Sequence, residues 1–142
     1  MFYLKYRPQS IAEIDNKEVG ARMTTLLMAE KIPHSFLFTG PKGTGKTSSA
    51  RIFAKAVNCE TNLFAQGKGT IEPCNTCHNC RSITVGNAID VVEIDGASAR
   101  KIDDIRNLID SVKFMPVVQR YKIYIVDEVH MLTHEAFNAF LK

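Results

Sequence analysis

The sequence lacks any apolar run long enough to cross a bilayer. Its first residues, Met1-Phe2-Tyr3-Leu4-Lys5-Tyr6-Arg7-Pro8, lack the charged-then-apolar layout of a secretory leader. There is no internal repeat and no low-complexity tract. The first two absences argue against a membrane-spanning protein and a secreted one. A strong charge bias is also missing: the net charge is only +3, which permits contact with nucleic acid but does not argue for it. What remains is an ordinary globular composition, 45% hydrophobic and 23% charged over 142 residues, enough for one domain with a sizeable core. A cytoplasmic location is the default expectation. In that reducing compartment four cysteines read as metal ligands or buried thiols rather than disulfides.

The strongest feature present is Gly40-Pro41-Lys42-Gly43-Thr44-Gly45-Lys46-Thr47. It follows a short apolar run, Ser35 to Thr39, and precedes a helical pattern with Ala50, Phe53, Ala54 and Val57 on one face. Strand, glycine loop and helix are the context in which a P-loop motif has meaning. A nucleoside triphosphate packs several negative charges into a small volume. Glycines let backbone N–H groups turn inward around them, and the helix N-terminus adds its dipole. The expected nucleotide contacts are Gly40, Pro41, Lys42, Gly43, Thr44, Gly45, Lys46, Thr47 and Ser48. Lys46 is expected to reach the β and γ phosphates, and the Thr47 hydroxyl to ligate Mg²⁺.

Along the chain, residues 1–10 read as an extended arm, because Pro8 disfavours helix at Arg7. Asp15 is the expected N-cap of an amphipathic helix carrying Val19, Met23, Leu26 and Leu27 and ending near Lys31. The P-loop strand, loop and helix run to Asn58. Residues 60–73 read as a polar surface loop. A second strand is expected over Ile89 to Asp95, stopped by Gly96. A helix with Ile102, Ile105, Leu108, Ile109 and Val112 on one side follows, with Pro116 at its end. Tyr121 to Val126 reads as a third strand, and Phe137, Phe140 and Leu141 as a last helical face. Alternating strands and helices predict an α/β fold, a parallel sheet with helices on its faces.

Asp127-Glu128 closes the third strand. A carboxylate at the C-terminal end of a buried parallel strand faces the crevice where such sheets bind ligands. Asp127 is expected to hold Mg²⁺, directly or through water, and Glu128 to orient and polarise the attacking water. The catalytic set is therefore Lys46, Asp127 and Glu128. On their own, acidic residues at strand ends are usually just solvated.

Cys74, Cys77 and Cys80 supply three closely spaced thiols, and Cys59 supplies a fourth across the polar loop. Four sulfur ligands suit tetrahedral Zn²⁺ in a structural site. His78 is an alternative ligand, poorly placed between two others. An iron–sulfur cluster is the rival, but the further Cys followed by Pro typical of that run is absent. Unmetallated buried cysteines are the plainest alternative.

Taken together these residues resemble a family. Tyr6-Arg7-Pro8, Gly40 to Thr47, the four cysteines, Glu93-Ile94-Asp95-Gly96-Ala97-Ser98 and Asp127-Glu128-Val129-His130-Met131-Leu132 are similar to the N-terminal part of the tau/gamma subunits of bacterial DNA polymerase III, the AAA+ motors of the clamp loader. The resemblance covers nearly the whole chain. It implies a P-loop NTPase of AAA+ type over 1–142, with an inserted zinc-binding module at about 59–82. It implies an ATPase within the DNA polymerase holoenzyme, using ATP, Mg²⁺ and Zn²⁺, that places a sliding clamp on primed DNA during replication. The implied partners are delta and delta-prime subunits, other tau/gamma copies, the sliding clamp, the polymerase core and primer-template DNA, with no membrane. It further implies that Tyr6, Arg7 and Pro8, with Val19 nearby, lie against the adenine, and that Ser98, Arg100 and Lys101 approach DNA phosphates.

Two departures stand beside the resemblance. The loop between Cys59 and Cys74 is longer than expected, which costs little. The family's sensor residue, arginine finger, lid and collar are not in this sequence. The sheet is therefore expected to be incomplete, and the isolated fragment to be a poorly stable, nearly inactive ATPase. A different class of function stays open, a module that binds nucleotide without hydrolysing it and serves as a scaffold. A recombination or repair ATPase is disfavoured by the cysteine spacing.

Overall fold

A computed structural model of the chain describes residues 6–98 and 102–140. Residues 1–5 of the expected arm, Arg100, Lys101 and Leu141 lie outside the described residues, as do the side chains of Ile102 and Phe140. The chain divides into two units, Met1–Ala88 and Ile89–Lys142.

The first unit is helical. Helix α1, Lys17–Leu27, is capped by Asn16, whose side chain accepts from the amides of Glu18 and Val19. Asp15 is one residue too early for that role. Both residue types cap well, so composition alone does not decide between neighbours. Met23 and Leu27 point inward as expected. Helix α2, Lys46–Asn58, carries Ala50, Ala54 and Ala56 among weaker helix formers, is held by burial of its apolar residues, and ends where the sequence predicts. Its burial is wider than the single face expected. Ile52 through Asn58 are all buried, because neighbouring elements cover the helix on more than one side.

One of those elements is α4, His78–Val85, which packs on α2 and ends in a left-handed Gly86. The 60–73 stretch is not a simple loop. It contains the short helix α3, Leu63–Gln66, and it is pinned by the buried Asn62. The Asn62 amide donates to the carbonyl of Ala56 at 2.7 Å, and its oxygen caps α3 at Phe64 N, 3.1 Å away. An orphan carbonyl of α2 is thereby satisfied.

The expected P-loop strand, Ser35 to Thr39, is not a strand among the described residues. The segment leads into the loop with Phe36 tilted against Phe53 of α2, ring centroids 4.4 Å apart, and Leu37 exposed. A strand exists only through ladder partners, and no described segment pairs with this one. The sequence expectation of a strand here is not met, because pairing is a property of the whole sheet and not of the segment.

The second unit holds a two-stranded parallel sheet. β1 is Val91–Asp95 and β2 is Ile123–Asp127, in register from Val91 opposite Ile123 to Asp95 opposite Asp127. Both strands start two residues later than expected, and β2 includes Asp127. The late start has a cause at Asp90. That residue spends its fully buried carboxylate on the amides of Val117, Val118 and Gln119 at 2.8, 2.7 and 2.8 Å. Between the strands runs α5, Ile102–Val112, burying Ile105 and Leu108 but leaving Val112 exposed. The Ser111 and Tyr124 hydroxyls, 2.8 Å apart, tie α5 to β2. The last helix, α6, spans His134–Phe140 and packs on α5. Its buried position is Ala136 rather than Phe137, which is 44% exposed. Small size lets Ala136 approach closely where a phenyl ring could not. The α/β reading therefore holds for this unit, with two strands in place of three.

Candidate functional site

The glycine loop is folded on itself. Gly45 sits at the N-cap of α2 with φ +83°, in the left-handed region that side chains avoid. That turn leaves Lys46 as the first helical residue. Its ammonium curls back to donate to the carbonyls of Gly40 and Pro41 at 2.9 and 2.8 Å. The Thr44 hydroxyl also donates to Pro41 O, at 2.8 Å. Residues Gly40 through Thr44 are exposed, and Gly45 through Ser48 are half-buried. A cation held by neutral carbonyls beside a helix N-terminus is suited to receive an anion.

At the other end of the chain, Asp95 and Asp127 lie opposite each other at the C-terminal ends of the parallel pair. The Asp95 carboxylate is occupied by its own turn. It accepts from Ala97 N at 2.9 Å and from the Ser98 hydroxyl at 2.8 Å, so Ser98 serves the turn after β1. Asp127 accepts from Glu128 N at 2.9 Å. Glu128 has φ +49° and ψ +42°, an uncommon conformation for a non-glycine residue. Such backbone strain concentrates at functional sites. Its carboxylate lies 3.3 Å from His130 Nε2. The turn is held from behind by Gly96, whose N–H donates to Asp127 O at 2.8 Å. A Cβ on Gly96 would lie 2.6 Å from Glu128 O, so only glycine allows this approach.

The four cysteines converge. The sulfurs of Cys59, Cys74, Cys77 and Cys80 all lie within 4.8 Å of one another. In a tetrahedral Zn–S₄ centre with bonds of about 2.3 Å, sulfurs stand about 3.8 Å apart, so a small contraction closes the set. Backbone amides of Cys74, Cys77 and Cys80 donate to the sulfurs of Cys59, Cys74 and Cys77 at 3.4, 3.3 and 3.4 Å. His78 is exposed and begins α4, and the grouping does not include it.

The thiols differ in acidity. Burial opposes ionisation of Cys74, but hydrogen bonds from Thr61, Thr76 and neighbouring amides outweigh it and bring the thiol down to about 5. Burial pushes Cys77 and, further, Cys80 upward. Four thiolates this close repel one another unless a cation sits among them. The donor set and its geometry fit a structural zinc ion.

Several residues of the site carry no motif. Lys55 is 1% exposed, yet its ammonium donates to Gln9 O, Gln9 Oε1 and Asn75 Oδ1 at 2.8, 2.7 and 2.7 Å. Burial pulls its pKa down, and the charges of Cys80 and Glu13 oppose that. Glu72 accepts from the amides of Ile11 and Ala12 at 2.8 and 3.0 Å. The only signal available in the sequence was a lysine inside the apolar run Phe53 to Val57. Tyr6 is exposed and Arg7, Pro8 and Val19 are half-buried.

A family model described as DNA polymerase III, delta subunit, matches residues 15–142. DNA polymerase III subunit tau of Bacillus subtilis is 48% identical over 141 residues, covering 99% of this chain and 24% of that protein. The subunit tau of Escherichia coli is 45% identical over 139 residues, 97% of this chain and 21% of that protein. Subunit gamma/tau of Mycobacterium tuberculosis is 48% identical over 143 residues, 99% of this chain and 24% of that protein. The chain thus spans about a quarter of the length of these relatives. On the family match and on 45–48% identity over almost the whole chain, the chain belongs to the DNA polymerase III delta-subunit family and is similar to tau/gamma subunits.

Proposed function

We propose that this chain is the ATP-binding and hydrolysing part of a clamp-loader subunit of AAA+ type, acting in DNA replication. The observation that carries this reading is the glycine loop at the head of α2, with Gly45 in the left-handed region and the Lys46 ammonium resting on loop carbonyls. On binding, Lys46 exchanges those carbonyls for β- and γ-phosphate oxygens. The amides of Gly43 to Ser48 receive the remaining phosphate charge. Thr47 and Asp127 are the residues that would hold Mg²⁺, which supplies neutralisation of charge on the transferring phosphoryl group. Glu128 orients the attacking water and accepts its proton, and the neighbouring His130 restrains the carboxylate. Tyr6, Arg7, Pro8 and Val19 contact the adenine. An arginine from a neighbouring subunit completes the charge stabilisation, an effect of about 10³–10⁵ in rate.

Zn²⁺ held by Cys59, Cys74, Cys77 and Cys80 is structural and takes no part in hydrolysis. Similarity to DNA polymerase III subunits tau supports a place in the DNA polymerase III holoenzyme. There the proposed partners are delta and delta-prime subunits, further tau/gamma copies, the sliding clamp, the polymerase core and primer-template DNA, in the cytoplasm. Equilibrium titration of the full-length protein with ATP and Mg²⁺ tests the loop. Lys46→Ala should weaken binding by about ten- to a hundred-fold, the loss of charge-assisted hydrogen bonds to phosphate. Unchanged affinity in that variant would refute the assignment.

A further inference from the structure

The zinc module grips the N-terminal segment at several points, none of which belongs to the metal centre itself. Glu72, two residues before Cys74, accepts from Ile11 N at 2.8 Å and Ala12 N at 3.0 Å. Asn75, between Cys74 and Cys77, takes a left-handed conformation at φ +60° and accepts from Lys55 Nζ at 2.7 Å. The same ammonium donates to both the backbone and side-chain oxygens of Gln9, at 2.8 and 2.7 Å. Thr84 of α4 lies within 3.4 Å of the Gln9 side chain. Gln9 in turn donates to Arg7 O at 3.1 Å, and its amide donates to Glu13 at 2.7 Å. Ile11 and Ile14 are buried just beyond.

These bonds connect chain positions far apart. Lys55 and Gln9 are separated by 46 residues, and Ile11 and Glu72 by 61. Glu72 and Asn75 flank Cys74, and their backbone positions depend on where that ligand is held. A metal that fixes Cys74 and Cys77 therefore fixes the two acceptors that hold the arm. Lys55 sits at the centre. It is a buried cation whose three bonded acceptors are neutral, which is costly unless every proton is satisfied. Losing the Asn75 acceptor leaves one N–H buried and unpaired, which loosens the hold on Gln9 as well.

We propose that the zinc module is the clamp for the N-terminal arm, through Glu72, Asn75 and Lys55, and that zinc occupancy thereby sets nucleotide affinity. The second half rests on the reading above that Tyr6, Arg7 and Pro8 meet the adenine. Coupling between two binding sites is reciprocal, so bound ATP must tighten zinc by the factor by which zinc tightens ATP.

The test uses the full-length protein and needs no hydrolysis. Glu72→Ala and Lys55→Met are each assayed for zinc stoichiometry, amide hydrogen exchange over residues 7–14 without nucleotide, and ATP affinity. Glu72→Ala, at a half-buried position, should fold and keep its zinc. It should lose about ten-fold or more of the exchange protection at Ile11 and Ala12, and about five-fold or more of ATP affinity. Chelating zinc from the parent protein should do the same, and saturating ATP should slow zinc loss to chelator. Unchanged arm protection in both Glu72→Ala and zinc-stripped protein overturns the clamp. Lost protection with unchanged ATP affinity overturns the coupling, provided Arg7→Ala weakens ATP. If Arg7→Ala leaves ATP affinity untouched, the adenine assignment of the arm fails and the clamp stands on the exchange data.

Discussion

Asp90 shows how much one side chain can determine locally. Burial opposes its ionisation, but the three amides of Val117, Val118 and Gln119 outweigh that and hold the carboxyl below its ordinary value. The segment they belong to exposes Phe114, Met115, Val117 and Val118, so it has little hydrophobic burial to hold it in place. Asp90→Asn keeps the shape but removes the charge and puts a donor where an acceptor is needed. It should cost about 2–3 kcal/mol at neutral pH, read from urea unfolding. The sign of the pH dependence follows from the direction of the shift. A carboxyl depressed in the folded state contributes above its unfolded value and stops contributing as pH falls through its folded value. The gap between parent and variant should therefore be full at pH 7 and shrink in acid. A gap that grows in acid would contradict the assignment. Glu128 poses a different residue-scale problem. No propensity predicts a glutamate at φ +49°, and the conformation becomes intelligible only with Gly96 packed against its carbonyl.

At the scale of elements, what the sequence revealed and what it hid divide along one line. The glycine loop at a helix start and the convergence of the four cysteines were legible because both motifs put particular residue types at short, fixed spacing. Helices α2 and α5 were legible because an apolar stripe is local information. The segment Ser35 to Thr39 was misread as a strand because strand pairing is decided by residues elsewhere. Lys55 was not singled out because its acceptors lie 46 and 20 residues away. Helices α2 and α4 pack on each other, and Ile52, Ala56, Cys59, Cys80 and Ile83 are buried on and beside them. Loss of the metal should therefore be felt beyond the cysteines. Cys59→Ser should reduce zinc content to well below one per chain and raise amide exchange in α4 by about ten-fold or more. The check is elemental analysis alongside mass-resolved exchange. Full α4 protection in metal-free protein would show that the helix packs without its metal.

At the scale of the whole molecule, the chain belongs to the DNA polymerase III delta-subunit family and spans about a quarter of the length of its tau/gamma relatives. The proposed nucleotide chemistry uses Lys46 and Thr47 for binding and Glu128 for turnover. Binding and turnover are separable, and that separation distinguishes a motor from a scaffold that merely carries a nucleotide. The most direct measurement is ATP affinity and steady-state hydrolysis by full-length Glu128→Gln protein, assembled with its partner subunits and primed DNA. Glutamine keeps the size and loses the base. The variant should bind ATP within about three-fold of the parent while kcat falls by about 10²–10⁴. Turnover at the parent rate would contradict the account at its centre, leaving the glycine loop as a binding device alone.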